Sequence, residues 1–82
     1  METRDKTRDE RRRAQLKALG INVSRLREER GVSQKELSLM LGHTNHAHLS
    51  RVEAGKKAPS VALLLEVADV LGVSVADLLD GV

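Results

Sequence analysis

The chain has 82 residues, 40% of them apolar, with a formal net charge of +2, no Phe, Trp or Tyr, and no cysteine. This length suits one modest domain, and its core must be packed from Leu, Val, Ile, Ala and Met, which favours short helices over a sheet. The absence of cysteine excludes disulfides, thiol chemistry and cysteine-ligated zinc, and without a signal peptide or an apolar run of the roughly 18 residues that cross a bilayer, we expect a cytoplasmic protein.

The first 13 residues form a charged segment whose only apolar residue is Met1, so this segment cannot join a core. We therefore divide the chain into an arm, residues 1–13, and a folded domain, residues 14–82. Charges in the arm pair at helical spacing, as Asp9 does with Arg13. The pattern leaves two alternatives open: the arm extends the next helix, or it frays.

An apolar stripe predicts the first helix, from about residue 14 to 30. Leu16, Leu19, Val23 and Leu26 follow one another at steps of three, four and three, and Gly31 follows as a stop. Gly20 lies inside the stripe and costs about 1 kcal/mol relative to alanine, so the pattern is compatible with a break or kink there.

A short second helix is predicted after this stop. Ser33 and Glu36 have the spacing of a capping box, and the helix should end before Gly42. Its buried side is predicted to consist of Leu37, Met40 and Leu41.

The third helix is predicted from about residue 45 to 54, with Thr44 as its N-cap and Gly55 as its stop. Leu49 and Val52 should anchor it in the core. Its other face is polar and carries Asn45, His46, His48, Ser50 and Arg51.

Two further helices are predicted after the loop that contains Pro59. Ser60 can cap a strongly apolar fourth helix that ends at Gly72, and Ser74 with Asp77 resembles a capping box for a fifth that ends before Gly81. The apolar residues of these helices are Leu63, Leu64, Val67, Val70 and Leu71, then Val75, Leu78 and Leu79. The prediction is five helices and no strands.

Charge is unevenly distributed along the chain. Residues 17–57 hold eight basic and four acidic residues, a balance of +4, whereas the residues after Lys57 include acids and no base. A basic front and an acidic back suit a protein that presents one face to phosphates.

A helix that ends in a glycine turn and is followed at once by a short helix with a polar face can place that second helix in a major groove. Through the segments LREERGVSQKELSLMLG, LSRVEAGKKAPS and LLLEVADVLGVSVADLLDGV, the chain resembles the lambda-repressor-like family of helix-turn-helix proteins, the Cro and repressor (XRE) type. The resemblance covers roughly residues 16–82. It implies an all-α, compact five-helix fold in which helices 2 and 3 form the helix-turn-helix, and a sequence-specific regulator of transcription that binds double-stranded DNA.

The resemblance also implies roles for single residues. Gln34 matches a glutamine that hydrogen-bonds a DNA phosphate, and Arg27 and Glu53 match a structural salt bridge. Arg51 matches a base-contacting position, where a guanidinium can bind guanine O6 and N7. Asn45 and His46 compete for the family's first base-reading position. The remaining predicted DNA contacts are Ser50, Thr44, Lys56 and Lys57.

The chain departs from the family between Gly42 and Glu53, which lie eleven positions apart where the common pattern has ten. Counting back from Glu53 puts Leu49 and Val52 at core positions, whereas counting forward from Gly42 puts His48 at one. The backward count is physically sound, so the extra residue falls within 43–48. It should lengthen the turn or delay the start of the recognition helix.

The resemblance also implies a homodimer on a palindromic or repeated operator, since a single small domain makes few contacts alone. The dimer surface is predicted at the end of the chain, with Val75, Leu78, Leu79 and Val82. The alternative is a protein-interaction module on the same fold, such as an antitoxin or an adaptor with a protein partner. The arm is either solvated charge or a segment that follows phosphates.

No enzyme, cofactor or membrane association is expected, because the sequence contains no nucleophile elbow, phosphate-binding glycine loop or His-Glu-x-x-His segment. The three histidines could suggest a metal site. His43 is placed in the turn, however, and His46 and His48 point to different sides of a helix, so the expectation is that no metal binds.

Overall fold

The computed structural model describes the backbone of residues 2–43 and 46–82 and, within these ranges, the side chains from residue 7 onward. The described residues form five α-helices: α1 (Glu2–Glu29), α2 (Gln34–Met40), α3 (Ala47–Glu53), α4 (Val61–Leu71) and α5 (Val75–Leu78). They include no strand. The all-α, five-helix architecture predicted from the sequence is confirmed.

Helix α1 begins at Glu2 rather than near residue 14, which is the first of the two alternatives that the sequence left open for the arm. The charged segment therefore continues the helix that carries the apolar stripe. Helix α1 also runs through Gly20 without interruption, so the glycine marks no break. Its apolar stripe supplies the buried residues Leu19, Val23 and Leu26, against which α3 and α5 pack.

Helix α2 begins as the sequence predicts. The Ser33 hydroxyl accepts the backbone N–H of Glu36, and the Glu36 carboxylate accepts the backbone N–H of Ser33. Leu37 is fully buried, and Leu41 packs at the edge of the core. The prediction for Met40 was wrong: its side chain is 54% exposed, because it lies beyond the edge of the buried stripe.

Helix α3 starts at Ala47 rather than near residue 45, which is the delayed start expected as one of the two effects of the extra residue. Its N-cap is His46 rather than the predicted Thr44, and the His46 side chain makes no capping hydrogen bond. Thr44 and Asn45 themselves lie outside the described residues. Leu49 and Val52 are buried as expected and join α3 to the core.

Helices α4 and α5 complete the core with Leu63, Val67, Ala68, Leu71 and Leu78. The Ser60 hydroxyl accepts the backbone N–H of Leu63, and Ser74 and Asp77 form the predicted capping box. No helix among the described residues is both long enough and apolar enough to cross a membrane.

Candidate nucleic-acid interface

Helices α2 and α3 and the turn between them form the helix-turn-helix. Leu37 and Ser38 of α2 and Leu49 of α3 are 0%, 2% and 1% exposed, so the two helices meet over a closed contact. A small side chain at Ser38 allows the close crossing. This contact holds α3 with its opposite face directed away from the core.

The exposed face of α3 combines one cation with small and polar groups. Arg51 and Ala47 are exposed and lie four residues apart, hence on the same side of the helix, while Ser50 is half-buried and His46 is exposed at the N-cap. Arginine can read guanine, and an alanine methyl can contact the methyl group of thymine. Exposed Lys56 and Lys57 follow directly after the helix.

A buried ion pair fixes the C-terminal end of α3. Glu53 accepts hydrogen bonds from Nε of Arg27 at 2.7 Å and from Nη2 at 3.1 Å, and the two side chains are only 5% and 11% exposed. Nη1 of Arg27 also donates to the carbonyl oxygen of Val32 at 2.7 Å. One guanidinium thus joins α1, the α1–α2 connection and α3.

Gln34 belongs to the same network. Its Nε2 donates to Oε1 of Glu53 at 2.8 Å, and its side chain is half-buried. Nε2 carries two N–H groups, and only one of them is used in this hydrogen bond. The second N–H is therefore available to a phosphate.

Two glycines let α3 approach α1 closely. A Cβ on Gly20 would lie 2.6 Å from the carbonyl oxygen of Val52 and closer still to that of Glu53. Gly55, with φ +74°, brings the residue after α3 to the backbone of Lys17, where a Cβ would lie 2.8 Å from the Lys17 Cα. The backbone of α1 is thus the surface on which the end of α3 rests.

Beside the exposed face of α3 lies a pair of half-buried histidines. The ring centroids of His43 and His48 are 6.4 Å apart and the rings are nearly perpendicular. Burial, together with the positive charges of Lys57, His43 and Arg51, holds the pKa of His48 below its ordinary value. At neutral pH this imidazole is therefore mainly uncharged in the free protein.

The predicted dimer residues are not all at the surface. Leu78 is fully buried in the core, so its inclusion in a dimer surface was wrong. Val75 and Val82 are half-buried against the core, and Leu79 is 42% exposed. Larger exposed apolar side chains lie on α4, where Val61 is 73% and Leu65 57% exposed.

Sequence reasoning missed several residues that shape this interface. Gly20 was interpreted as a local weakness in α1, because its contact partner is 33 positions further along the chain. Asn22, whose Nδ2 donates to the carbonyl oxygens of Leu78 at 2.9 Å and Asp80 at 2.8 Å, is a polar residue next to the apolar stripe of α1. That position was the one available signal of its role.

The architecture and the exposed α3 define the class of the molecule as a helix-turn-helix protein. A model of the helix-turn-helix family matches residues 23–78. The chain therefore belongs to this family, in its XRE-type branch of DNA-binding transcriptional regulators.

Several proteins are similar to this chain in sequence, and two of them also in solved structure. An uncharacterized HTH-type transcriptional regulator of Sinorhizobium fredii, y4dJ, is 40% identical over 62 residues, covering 76% of this chain and 79% of the relative. The clp gene regulator ClgR of Corynebacterium glutamicum superposes with a TM-score of 0.74 at 37% identity, over 79% of this chain and 68% of that one. The restriction-modification controller protein C.AhdI of Aeromonas hydrophila superposes with a TM-score of 0.75 at 27% identity, over 80% and 94%.

Proposed function

We propose that this protein binds specific DNA operators as a homodimer, with α3 of each copy in the major groove. The observation that carries the proposal is the α3 face: exposed Arg51 and Ala47 stand opposite the buried anchors Leu49 and Val52, and the buried Arg27–Glu53 pair holds the end of the helix. The major groove, about 12 Å wide, accepts one helix presented in this way.

Base reading is assigned to the centre of α3 and backbone binding to its flanks. Arg51 is the principal base contact, with Ala47, His46 and Ser50 beside it; Asn45 and Thr44 belong to the same proposed surface, although they lie outside the described residues. Lys56 and Lys57 bind phosphates. Among the described residues, Arg51 and both lysines form no ion pair, so their charges are available to a polyanion.

Gln34 is proposed to contact a phosphate at the start of α2. Its Nε2 donates to Glu53, and Glu53 already accepts two hydrogen bonds from Arg27. Because Nε2 has a second N–H, Gln34 can donate to a phosphate while it keeps its hydrogen bond to Glu53.

The dimer surface is proposed on α4 and the end of α5. Val61, Leu65 and Leu79 are large apolar side chains exposed in the monomer, and pairing two copies removes such surface from water at about 25 cal/mol per Å². A two-fold dimer would place the two α3 helices in successive major grooves, about 34 Å apart.

Selection of bound sequences from random DNA tests the proposal and supplies an operator. On that operator, Arg51→Ala should reduce discrimination against random DNA by about 1–3 kcal/mol. Lys56→Ala should weaken operator and random DNA alike and lower the slope of log K against log salt by about one. Arg25→Ala is the matched control, because Arg25 is already paired with Glu29 at 3.0 Å.

If none of the three substitutions changes the affinity for DNA, the proposed DNA binding is contradicted and a protein-binding adaptor is favoured. For the dimer, sedimentation should show Leu65→Glu as a monomer and Met40→Glu, an equally exposed apolar site on α2, as a dimer. A wild-type chain that stays monomeric at high concentration, both free and on operator DNA, contradicts the dimer.

A further inference from the structure

Three segments of the chain meet beside the recognition helix at a cluster of basic groups. His43 lies in the turn after α2, His48 in α3 and Lys57 in the loop after α3. The rings of His43 and His48 contact edge to face, with centroids 6.4 Å apart. We call His43, His48 and Lys57 the histidine cluster.

The charged groups that act on His48 are all basic. Lys57 faces it from the following loop, His43 from the preceding turn and Arg51 from one turn further along α3. None of these four residues forms an ion pair with an acid in the described part of the chain. Positive charge concentrated around half-buried imidazoles without a carboxylate is complementary to an anion.

A metal ion fits the histidine cluster poorly. A cation would add to the repulsion from Lys57 and Arg51, and no group of three or more His, Cys, Asp or Glu residues comes together among the described residues. An imidazole N–H, in contrast, donates a hydrogen bond to a phosphate oxygen in either charge state and gains an ion pair when protonated.

We propose that the histidine cluster binds a backbone phosphate of DNA at the side of α3 and takes up a proton when DNA binds. This inference rests on the proposed function, since the ligand is a phosphodiester of the duplex in which α3 lies. It adds His43 and His48 to the contact surface and gives binding a dependence on pH that lysine and arginine contacts lack.

The direction of the dependence follows from the charge state on each side of the equilibrium. In the free protein, burial and the basic neighbours keep the pKa of His48 low, so the imidazole is mainly neutral near pH 7. A phosphate at hydrogen-bonding distance stabilises the charged imidazolium and so raises the pKa of His48. Between the two pKa values binding consumes a proton, and Kd should tighten by up to about tenfold for each unit of decrease in pH.

The free protein should show the opposite trend in stability. Because the pKa of His48 is lower in the folded chain than in the unfolded chain, its contribution to stability is lost as pH falls below the ordinary histidine range. Acid thus weakens the free fold slightly while strengthening the complex. DNA should therefore protect the protein against heat more at pH 6 than at pH 8.

The test is fluorescence anisotropy on a labelled operator duplex between pH 5.5 and 8.0 at constant ionic strength. Wild-type Kd should fall as the pH falls, His48→Gln should weaken binding most at low pH and so flatten the profile, and His43→Gln should reduce the slope. Arg25→Ala is the matched control, because Arg25 is paired with Glu29 at 3.0 Å and lies outside the proposed contact surface, so its removal should leave the slope in place.

A second measurement keeps the proposal testable where a variant fails to fold. The ring protons of the three wild-type histidines can be titrated by NMR with and without DNA, and the pKa of His48 should rise on binding. A wild-type Kd that is independent of pH, a slope retained by His48→Gln, or a slope abolished by Arg25→Ala overturns the inference. Failure to bind DNA at any pH instead refutes the proposed function.

Discussion

Glu53→Ala is the most direct test of how α3 is held. In the structure the Glu53 carboxylate accepts two hydrogen bonds from Arg27 and one from Gln34, and it is 5% exposed. The hydrogen bonds that Arg27 donates to Glu53 raise the pKa of Arg27 in spite of the opposing effect of burial. Removing the carboxylate leaves the guanidinium charge buried, with the carbonyl oxygen of Val32 as its remaining strong partner.

The magnitude follows from burial. Truncating one partner of a buried ion pair costs about 3–5 kcal/mol, because the remaining charge is desolvated without compensation. The free energy of unfolding of a small domain is roughly 5–15 kcal/mol in total, so this loss is a large share of its stability. At about 4–8 °C for each kcal/mol in a domain of this size, the midpoint of thermal unfolding should fall by more than about 12 °C.

Circular dichroism melts of wild type and three variants measure this effect. Glu28→Ala is the control, since Glu28 also lies near Arg27, at 3.7 Å, but is 67% exposed and should contribute at most about 1 kcal/mol. Arg27→Met combined with Glu53→Leu removes both charges and should recover most of the stability that Glu53→Ala loses. If Glu53→Ala and Glu28→Ala melt at the same temperature, the assigned role of the buried pair is refuted.

Three further predictions concern stability. Gly20→Ala should gain about 1 kcal/mol in helix propensity but lose more to the clash with the carbonyl oxygens at the end of α3. Urea unfolding should show a net destabilisation of about 1–3 kcal/mol, and a stabilised variant would show that α1 and α3 are further apart. Ser38→Ala should leave stability unchanged or raise it by up to about 2 kcal/mol, because Ser38 is 2% exposed and its hydroxyl has no hydrogen-bond partner among the described residues. A lower melting temperature would contradict that environment. Hydrogen bonds from the capping serines lower the pKa values of Glu36 and Asp77, so both carboxylates stabilise the fold at neutral pH and lose this effect as pH falls below about 4. The melting temperature of the double variant E36Q/D77N should therefore decrease less in acid than that of wild type. An unchanged acid profile would count against the capping boxes.

Local interactions account for what the sequence predicted well. Ser33 and Ser74 cap their helices through bonds to residues three positions away, and Ser60 does the same for α4, so each pattern lies within one short window. The stripe of α1 and the anchors Leu49 and Val52 likewise follow from helical periodicity. These local rules were enough for the five helices and the position of the helix-turn-helix.

Contacts between distant parts of the chain account for what it did not predict. Periodicity identifies a buried face but not its width, so Met40 was placed inside and Leu78 outside, in each case at the edge of a stripe. Gly20 gains its meaning only when α3 rests on it. The contact of His43 with His48 depends on the path of a turn that contains the extra residue, and no residue pattern specifies that path.

The hydrogen bonds of Asn22 have a consequence for the spacing of operator half-sites. Helix α1 holds the end of α3 through Arg27 and the end of α5 through Asn22, only five residues apart on one rigid helix. In the proposed dimer, α1 then sets the distance from the two-fold axis to each recognition helix, and this distance can change little. Inserting one base pair between half-sites turns one of them by about 35° around the duplex, since a turn takes about 10.5 base pairs, and the second copy cannot follow. Asn22→Ala should loosen this arrangement and let the protein accept operators whose half-sites are one base pair closer together or further apart.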